Sequence, residues 1–372
     1  MKHVLISHNS IPTATIGSWK RMLTDLESLD KTIFDYIVCP LESPSMITKK
    51  HMHVNGYRKS RVLNKLFSNY RFKNYTNALK SIISIEKQLL ITIVDNVGIL
   101  LAVDAFLKKT DLRNQVQIVF LQRGFDYQLS INKKALFYQS IDLLVVLTKA
   151  SYKKQLSGVH ALPCRVVQLY NGVSSEMFFP IPKEQKKLLL EKYKLASNTY
   201  YFLWVSQDRK KKGLHIILNA WKTLVKKYNN IELLVIGTKA YDSIPNVRYL
   251  GKIPNDKLPE YYQLTDFYLF STLCHEGFGL SLAEALKSGA YCLVSDIDPM
   301  PEILSEGKYG QLVGMPNSEE SWVNAIEGAL KKYQSNNNVN PYLKDIPSKL
   351  YDFNRWCKAI AAIYKKEKGI KL

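Results

Sequence analysis

Short apolar runs rich in β-branched and aromatic residues alternate with stretches of helical periodicity from one end of the chain to the other. In the first half the runs are His3–Ser7, Ile33–Cys39, Leu90–Val94, Val116–Leu121, Leu143–Leu147 and Val166–Leu169, with helical patterns such as Ser18–Ser28 and Gly98–Lys109 between them. In the second half they are Tyr200–Val205, Glu232–Ile236, Val247–Leu250, Phe267–Ser271 and Tyr291–Ser295, separated by helical patterns at Leu214–Lys227, Lys257–Gln263, Ser281–Lys287 and Glu319–Lys332. Runs this short, with no polar face, read as strands buried on both sides. Parallel strands need a long crossover, and a helix supplies it, so the alternation predicts parallel sheets covered by helices on both faces. At roughly 100–200 residues per domain, a chain of 372 residues holds two such units.

The boundary is marked by the stretch from Leu169 to Pro182, where Asn171-Gly172 is a turn signal and Pro180 and Pro182 stiffen the exit. The prediction is a first doubly wound domain over residues 1–180 and a second over 181–350. A final helix over 351–372 carries Phe353, Trp356, Ile360 and Ile363 at helical spacing. In sheets of this kind ligands bind at the C-terminal ends of the strands.

Composition narrows the compartment. No stretch reaches the ~18 apolar residues of a membrane span; the nearest, Leu89 to Val103, carries Asp95 and Asn96 in its middle. The five cysteines are scattered and form no Cys-x-x-Cys, so neither a disulfide framework nor a zinc site is indicated, and a cytoplasmic protein is expected. The charge is unusual, with 52 Lys and Arg against 32 Asp and Glu, a net +20. From Lys49 to Lys80 the chain holds Lys50, Arg58, Lys59, Arg61, Lys65, Arg71 and Lys73 without one acid, interleaved with Tyr57, Phe67, Tyr70, Phe72 and Tyr75. Basic residues among aromatics suit the anionic inner face of a membrane, where each contributes ~1 kcal/mol. A solvated face is the bland alternative, and a nucleic-acid partner is not expected.

Two segments carry the chemistry. The first is His275-Glu-Gly-Phe-Gly-Leu-Ser-Leu-Ala-Glu284, a polar loop running into an amphipathic helix. Gly277 and Gly279 allow the backbone close to a ligand, and the amides at the helix start, from Leu280 on, are an anion or polar-ligand site. Ser281-Leu-Ala-Glu284 also fits a capping box, in which Glu284 only bonds back to a backbone amide. The second segment is Ser206-Gln-Asp-Arg-Lys-Lys-Lys212-Gly213, four consecutive cations between a strand and a helix start. Such cations beside a helix start make an anion site.

The first segment resembles the Glu-x7-Glu signature of retaining nucleotide-sugar glycosyltransferases of the two-domain GT-B type, family four. Asn171-Gly-Val-Ser174 through Pro180 is similar to that family's hinge, with Ser174 where Asp is usual. The resemblance implies an α/β fold of two Rossmann-like domains facing a cleft, with the C-terminal helix crossing back to the first. It implies that Glu276 meets the donor sugar and that Glu284 meets the ribose hydroxyls. The backbone of Gly277, Phe278, Gly279 and Leu280 would hold phosphate and sugar, Ile253 would lie by the base, and Lys212 would act with Glu276 at the reacting bond. Glu302 fits a family Glu near the donor pocket.

The chain departs from the pattern where the family has Gly-Arg: Ser206 and Gln207 stand there, and Arg209 is the candidate replacement for the missing charge. In the first half the likeness is thinner. Gly17-Ser18 stands for a pair of glycines on the acceptor side, and Gln122-Arg123 stands where relatives carry a His, which makes Arg123 an acceptor-side candidate. Asp296-Ile-Asp298 matches the Asp-x-Asp metal motif of single-domain glycosyltransferases, but the segment is better explained by Glu302, so no metal and no cofactor are expected.

The expected function is retaining, metal-independent transfer of a sugar from a UDP- or GDP-sugar to a saccharide or lipid-linked acceptor. Cell-surface polysaccharide or lipopolysaccharide synthesis is the expected setting. A nucleotide-sugar epimerase of the same architecture and a non-catalytic basic binding protein are the alternatives.

Overall fold

A computed structural model of the chain describes residues 1–11, 22–24, 26–27, 31–41, 50–57, 70–157, 161–207, 209–239 and 243–369. The chain divides into two compact units, Met1–Tyr170 with Arg355–Leu372, and Asn171–Asn354. Each unit is built on one parallel sheet, and among the described residues helices make most of the connections between strands.

The sheet of the first unit runs β1 (Lys2–Ser7), β2 (Tyr36–Cys39), β3 (His51–His53), β4 (Leu89–Val94), β5 (Val116–Leu121), β6 (Leu143–Val146) and β7 (Arg165–Gln168) along the chain. In space the order is β3-β2-β1-β4-β5-β6-β7, so the direction of winding reverses between β1 and β4. Those two central strands are paired in register over their whole length, Lys2 with Leu89 to Ser7 with Val94. Both are buried almost throughout, which is why they read as unbroken apolar runs. The Val97–Lys109 helix starts where Asn96 accepts a hydrogen bond from Ile99 N at 2.9 Å.

The C-terminal helix, Phe353–Glu367, belongs to this unit from Arg355 onward. It buries Trp356, Ile360, Tyr364 and Glu367. Tyr364 lies 4.5 Å from the ring of His3, which is fully buried on β1 and bonded to Ile33 O and Thr92 Oγ1, each at 2.8 Å. Burial depresses the His3 imidazole to about 3, aided by the charge of Lys368. Arg165 and Glu367 form an ion pair that fastens the end of the helix to β7.

The second unit runs β8 (Tyr200–Val205), β9 (Ile231–Ile236), β10 (Val247–Gly251), β11 (Phe267–Phe270), β12 (Tyr291–Ser295) and β13 (Gln311–Val313), in spatial order β10-β9-β8-β11-β12-β13. Here the winding reverses between β8 and β11. Phe202 and Phe267 stack across that pair with centroids 4.4 Å apart and planes within 10°. Trp221 of the Leu214–Leu224 helix and Trp322 of the Glu319–Ser335 helix are fully buried in the same core.

Several elements were not anticipated in the sequence: the edge strands β3 and β13, and the helices Lys73–Ile83, Ile131–Gln139 and Lys149–Leu156. The Lys73–Ile83 helix falls inside the basic window and buries Tyr75, Leu79 and Ile82, so Tyr75 is a core residue and not a surface aromatic. Most of the other cations of that window, from Arg58 to Lys65 together with Lys49, lie outside the described residues. Among the described residues no helix is long and apolar enough to cross a membrane.

Candidate functional site

The reversal of winding between β8 and β11 decides where the two chemical segments meet. Loops that leave the C-terminal ends of these neighbouring strands emerge side by side. The loop after β8 carries Gln207 and Arg209, both exposed, then a single 3₁₀ turn over Lys210–Lys212 and Gly213. The loop after β11 carries Ser271 to Gly279. Leu273 N donates to Lys211 O at 2.8 Å, and Ser271 Oγ donates to Lys212 O at 3.0 Å while accepting from Trp204 Nε1 at 3.0 Å. Gly213 makes this seam possible. Its φ is +72°, and a Cβ there would lie 1.9 Å from Ser271 O.

At the mouth of the seam Lys212 Nζ and Glu276 Oε1 form an ion pair, with side chains 21% and 14% exposed. Thr272 Oγ1 donates to the same Glu276 oxygen at 2.7 Å. A cation and a carboxylate from different loops are thus locked together at the end of the two central strands. The pair suits a ligand with adjoining anionic and hydroxyl-bearing parts, because the Lys matches the first and the Glu the second.

Gly279 is the N-cap of the Leu280–Lys287 helix, with φ +82° and no side chain to cap it. The helical ladder opens with Leu282 N and Ala283 N donating to Gly279 O. The amides of Leu280 and Ser281 come before it, in the position from which helix starts bind anions. Phe278 turns inward, 2% exposed and edge-on to Tyr351 at 5.1 Å. Because the cap is Gly279, Ser281 sits inside the helix, and the capping-box reading of Ser281 and Glu284 is set aside. Glu284 Oε2 instead accepts from the hydroxyl of buried Tyr262 at 3.0 Å.

At the other edge, Gly237 N donates to Gly251 O at 2.7 Å, which ties the ends of β9 and β10 together. Gly237 has φ +100°, and a Cβ there would meet Ser206 O at 2.1 Å. Ile253 follows β10, partly exposed. Beyond β12, Leu273, Cys274, His275, Asp296, Ile297, Asp298 and Pro301 line an open recess of about 500 Å³. His275 Nδ1 lies 3.2 Å from Asp298 O. Glu302 lies in the Met300–Ile303 helix next along the chain.

The first unit contributes a separate cluster. Asp95, in the left-handed region at φ +50° just past β4, accepts from Arg123 N at 2.9 Å and from the hydroxyl of Tyr127. Burial draws the Arg123 guanidinium below its ordinary value, against the opposing pull of Tyr364, Asp95 and Tyr127. Gln122 is turned into the core, its Nε2 donating to Phe125 O at 2.9 Å. Gly17 and Ser18 lie outside the described residues.

Sequence reasoning missed Thr272, Tyr262 and Gly237. Thr272 sits two positions past β11 at the reversal of winding, which was a usable signal. Tyr262 lies within the predicted helix Lys257–Gln263, and nothing in the sequence linked it to Glu284.

Residues 185–345 match the family described as glycosyl transferases group 1. Among curated proteins, the chain is 28% identical over 169 residues to a phosphatidyl-myo-inositol mannosyltransferase of Mycolicibacterium smegmatis, covering 43% of this chain and 42% of the relative. It is 23% identical over 206 residues to a D-inositol 3-phosphate glycosyltransferase of Corynebacterium aurimucosum, covering 51% of this chain and 48% of the relative. The chain thus spans about half or less of the length of these relatives. Among solved structures it resembles a sucrose-phosphate synthase of Thermosynechococcus elongatus, with TM-score 0.76 and 14% identity over 99% of this chain and 100% of the other. The Anabaena HepE protein, solved in complex with UDP, superposes with TM-score 0.73 and 16% identity over 98% of this chain and 100% of the other. At these identities the structural likeness establishes the fold, the two-domain GT-B architecture.

Proposed function

We propose, since residues 185–345 match the family described as glycosyl transferases group 1, that this chain is a retaining glycosyltransferase that moves a sugar from a UDP- or GDP-sugar to a saccharide or lipid-linked acceptor. The observation that carries the reading is the Lys212–Glu276 pair at the β8/β11 reversal, with Glu284 on the next helix. A nucleotide sugar has three parts at fixed spacing, and this loop pair offers each a partner. Lys212, with Arg209 standing in for the charge absent at Gln207, faces the diphosphate. Glu276 and the Gly277–Leu280 backbone take the sugar and phosphate, and Glu284 takes the ribose. Ile253 lies by the base.

In the reaction, an acceptor hydroxyl oxygen bonds to the anomeric carbon on the face from which the diphosphate departs. The bond from that carbon to the phosphate oxygen breaks with its electron pair staying on the diphosphate, and a phosphate oxygen takes the acceptor's proton. Lys212 stabilises the charge that accumulates on the leaving group, where a preorganised donor is worth most. Glu276 orients the sugar hydroxyls and offsets positive charge at the anomeric carbon. No residue of this scheme needs a metal.

A lipid-linked acceptor is favoured by the name of the mannosyltransferase relative and by the basic window from Lys49 to Lys80, which would hold the protein against the anionic inner face of a membrane. Arg123, with Gly17 and Ser18, is assigned to the acceptor side. Cell-surface polysaccharide or lipopolysaccharide assembly is the setting that fits these assignments.

The test is a thermal-shift and turnover panel with UDP, GDP, ADP and their sugars, on the wild type and on R209A and Q207A. One nucleotide and its sugar should stabilise the protein, with R209A losing more affinity than Q207A. A new sugar nucleotide formed from donor alone would replace transfer with epimerisation. No binding to any member would end the reading.

A further inference from the structure

Glu284 is held from beneath by a tyrosine that contributes nothing to the surface. Tyr262 lies in the Leu258–Leu264 helix, fully buried, edge-on to Phe178 at 5.8 Å and 5.6 Å from the ring of Tyr268. Its hydroxyl donates to Glu284 Oε2 at 3.0 Å. A phenylalanine would fill the same space among aromatic neighbours, so packing alone does not call for the hydroxyl. Burial and the charge of Glu284 hold that hydroxyl well above the ordinary tyrosine value, so it stays protonated and is a permanent donor. A glutamate side chain loses rotamer freedom when it is ordered. A contact that orders it in advance moves that cost from binding to folding.

We propose that Tyr262 is a positioning residue for ribose recognition: by anchoring one oxygen of Glu284 it sets the carboxylate plane before nucleotide arrives, so that the carboxylate meets the vicinal ribose hydroxyls without rearrangement. The inference rests on the reading of Glu284 as the ribose-contacting carboxylate. It implies that Tyr262 governs discrimination between ribonucleotides and their deoxy counterparts while touching no ligand.

The experiment is isothermal titration of the full chain with UDP and GDP, each beside its 2′,3′-dideoxy form. The wild type should prefer the ribonucleotide of whichever base it binds. Y262F should lose about tenfold of ribonucleotide affinity, equivalent to about 1.4 kcal/mol, while its affinity for the dideoxy form is unchanged. Y291F, which removes a hydroxyl bonded to Gln311 and not to Glu284, should keep the preference. If Y262F does not fold, Y262M removes the same hydroxyl and takes its place. A Y262F protein with the wild-type preference overturns the inference and leaves the Glu284 reading intact. Equal losses for both nucleotide forms overturn it too, because they report a general structural defect. A wild type that binds a nucleotide but ignores the ribose hydroxyls removes the Glu284 reading, and the inference with it.

Discussion

The Lys212–Glu276 pair makes an unusual demand on a substitution at Glu276: turnover and nucleotide affinity should move in opposite directions. The Lys212 ammonium is engaged with Glu276, and Thr272 holds the same carboxylate oxygen at 2.7 Å. A diphosphate must compete for that ammonium. E276Q keeps the size of the side chain and an oxygen for Thr272 but removes the negative charge, so Lys212 is left for the diphosphate alone. Gross Coulomb attraction between unit charges 4 Å apart is about 4 kcal/mol at an effective dielectric constant near 20. Both side chains retain contact with water, so the net worth of the pair is nearer the ~1 kcal/mol of screened pairs. Nucleoside diphosphate should therefore bind E276Q about fivefold more tightly, or at least no more weakly. Turnover should fall ~10²–10³-fold, the usual cost of removing one preorganised group at the reacting centre. Calorimetric titration with UDP and GDP, beside release of diphosphate from the matching nucleotide sugar, reads both quantities. A tenfold loss of diphosphate affinity in E276Q would show that Glu276 holds the nucleotide and does not restrain Lys212. Wild-type turnover would remove Glu276 from the chemistry.

Two predictions concern the scaffold. G213A should destabilise the second unit by about 2–4 kcal/mol, combining the left-handed backbone cost with a clash against a carbonyl that cannot move aside, since the new Cβ lies 1.9 Å from Ser271 O. G328A, inside the Glu319–Ser335 helix with open space around it, should stabilise by about 0.5–1 kcal/mol; denaturant midpoints measure both, and equal effects would refute the packing argument. His3 sets a pH dependence for the first unit. Its folded value of about 3 lies below the ordinary imidazole value of 6.5, so only the unfolded chain takes up a proton as the pH falls between them. Its contribution is complete above 6.5 and is lost toward 3, about 2.7 kcal/mol by pH 4.5 at 1.36 kcal/mol per unit. H3Q should flatten the fall in stability between pH 6.5 and 4.5, and a slope identical to wild type would contradict the assignment.

The alternation of apolar runs and helices was enough to locate both sheets, because strands buried on two faces leave an unmistakable signal. The edge strands β3 and β13 escaped because each has three residues and at most one is buried. The C-terminal helix covers Phe353–Glu367, and its buried stripe differs from the expected one: Tyr364 lies in the core where Ile363 was expected, and Phe353 and Ile363 flank the stripe half-buried. The local parts of the site were legible, since the Gly277–Gly279 loop and the Lys-rich turn each lie within a few residues. Partnerships across the fold were not. Tyr262 meets Glu284 only because the Leu258–Leu264 helix packs against the Leu280–Lys287 helix, and Thr272 meets Glu276 only through the turn of their own loop. The capping box failed for a backbone reason: Gly279 takes the left-handed conformation and starts the helix one residue before Ser281.

On the proposed function, the β8 and β11 loops together hold a nucleotide sugar and break its bond to the diphosphate. The most direct measurement is release of nucleoside diphosphate by the full chain across a panel of UDP- and GDP-sugars, with K212M and E276A alongside. Release is expected from sugars of one nucleotide, reduced at least ~10²-fold in both variants. Release that persists undiminished in K212M and E276A, or none from any sugar nucleotide in the panel, would contradict it.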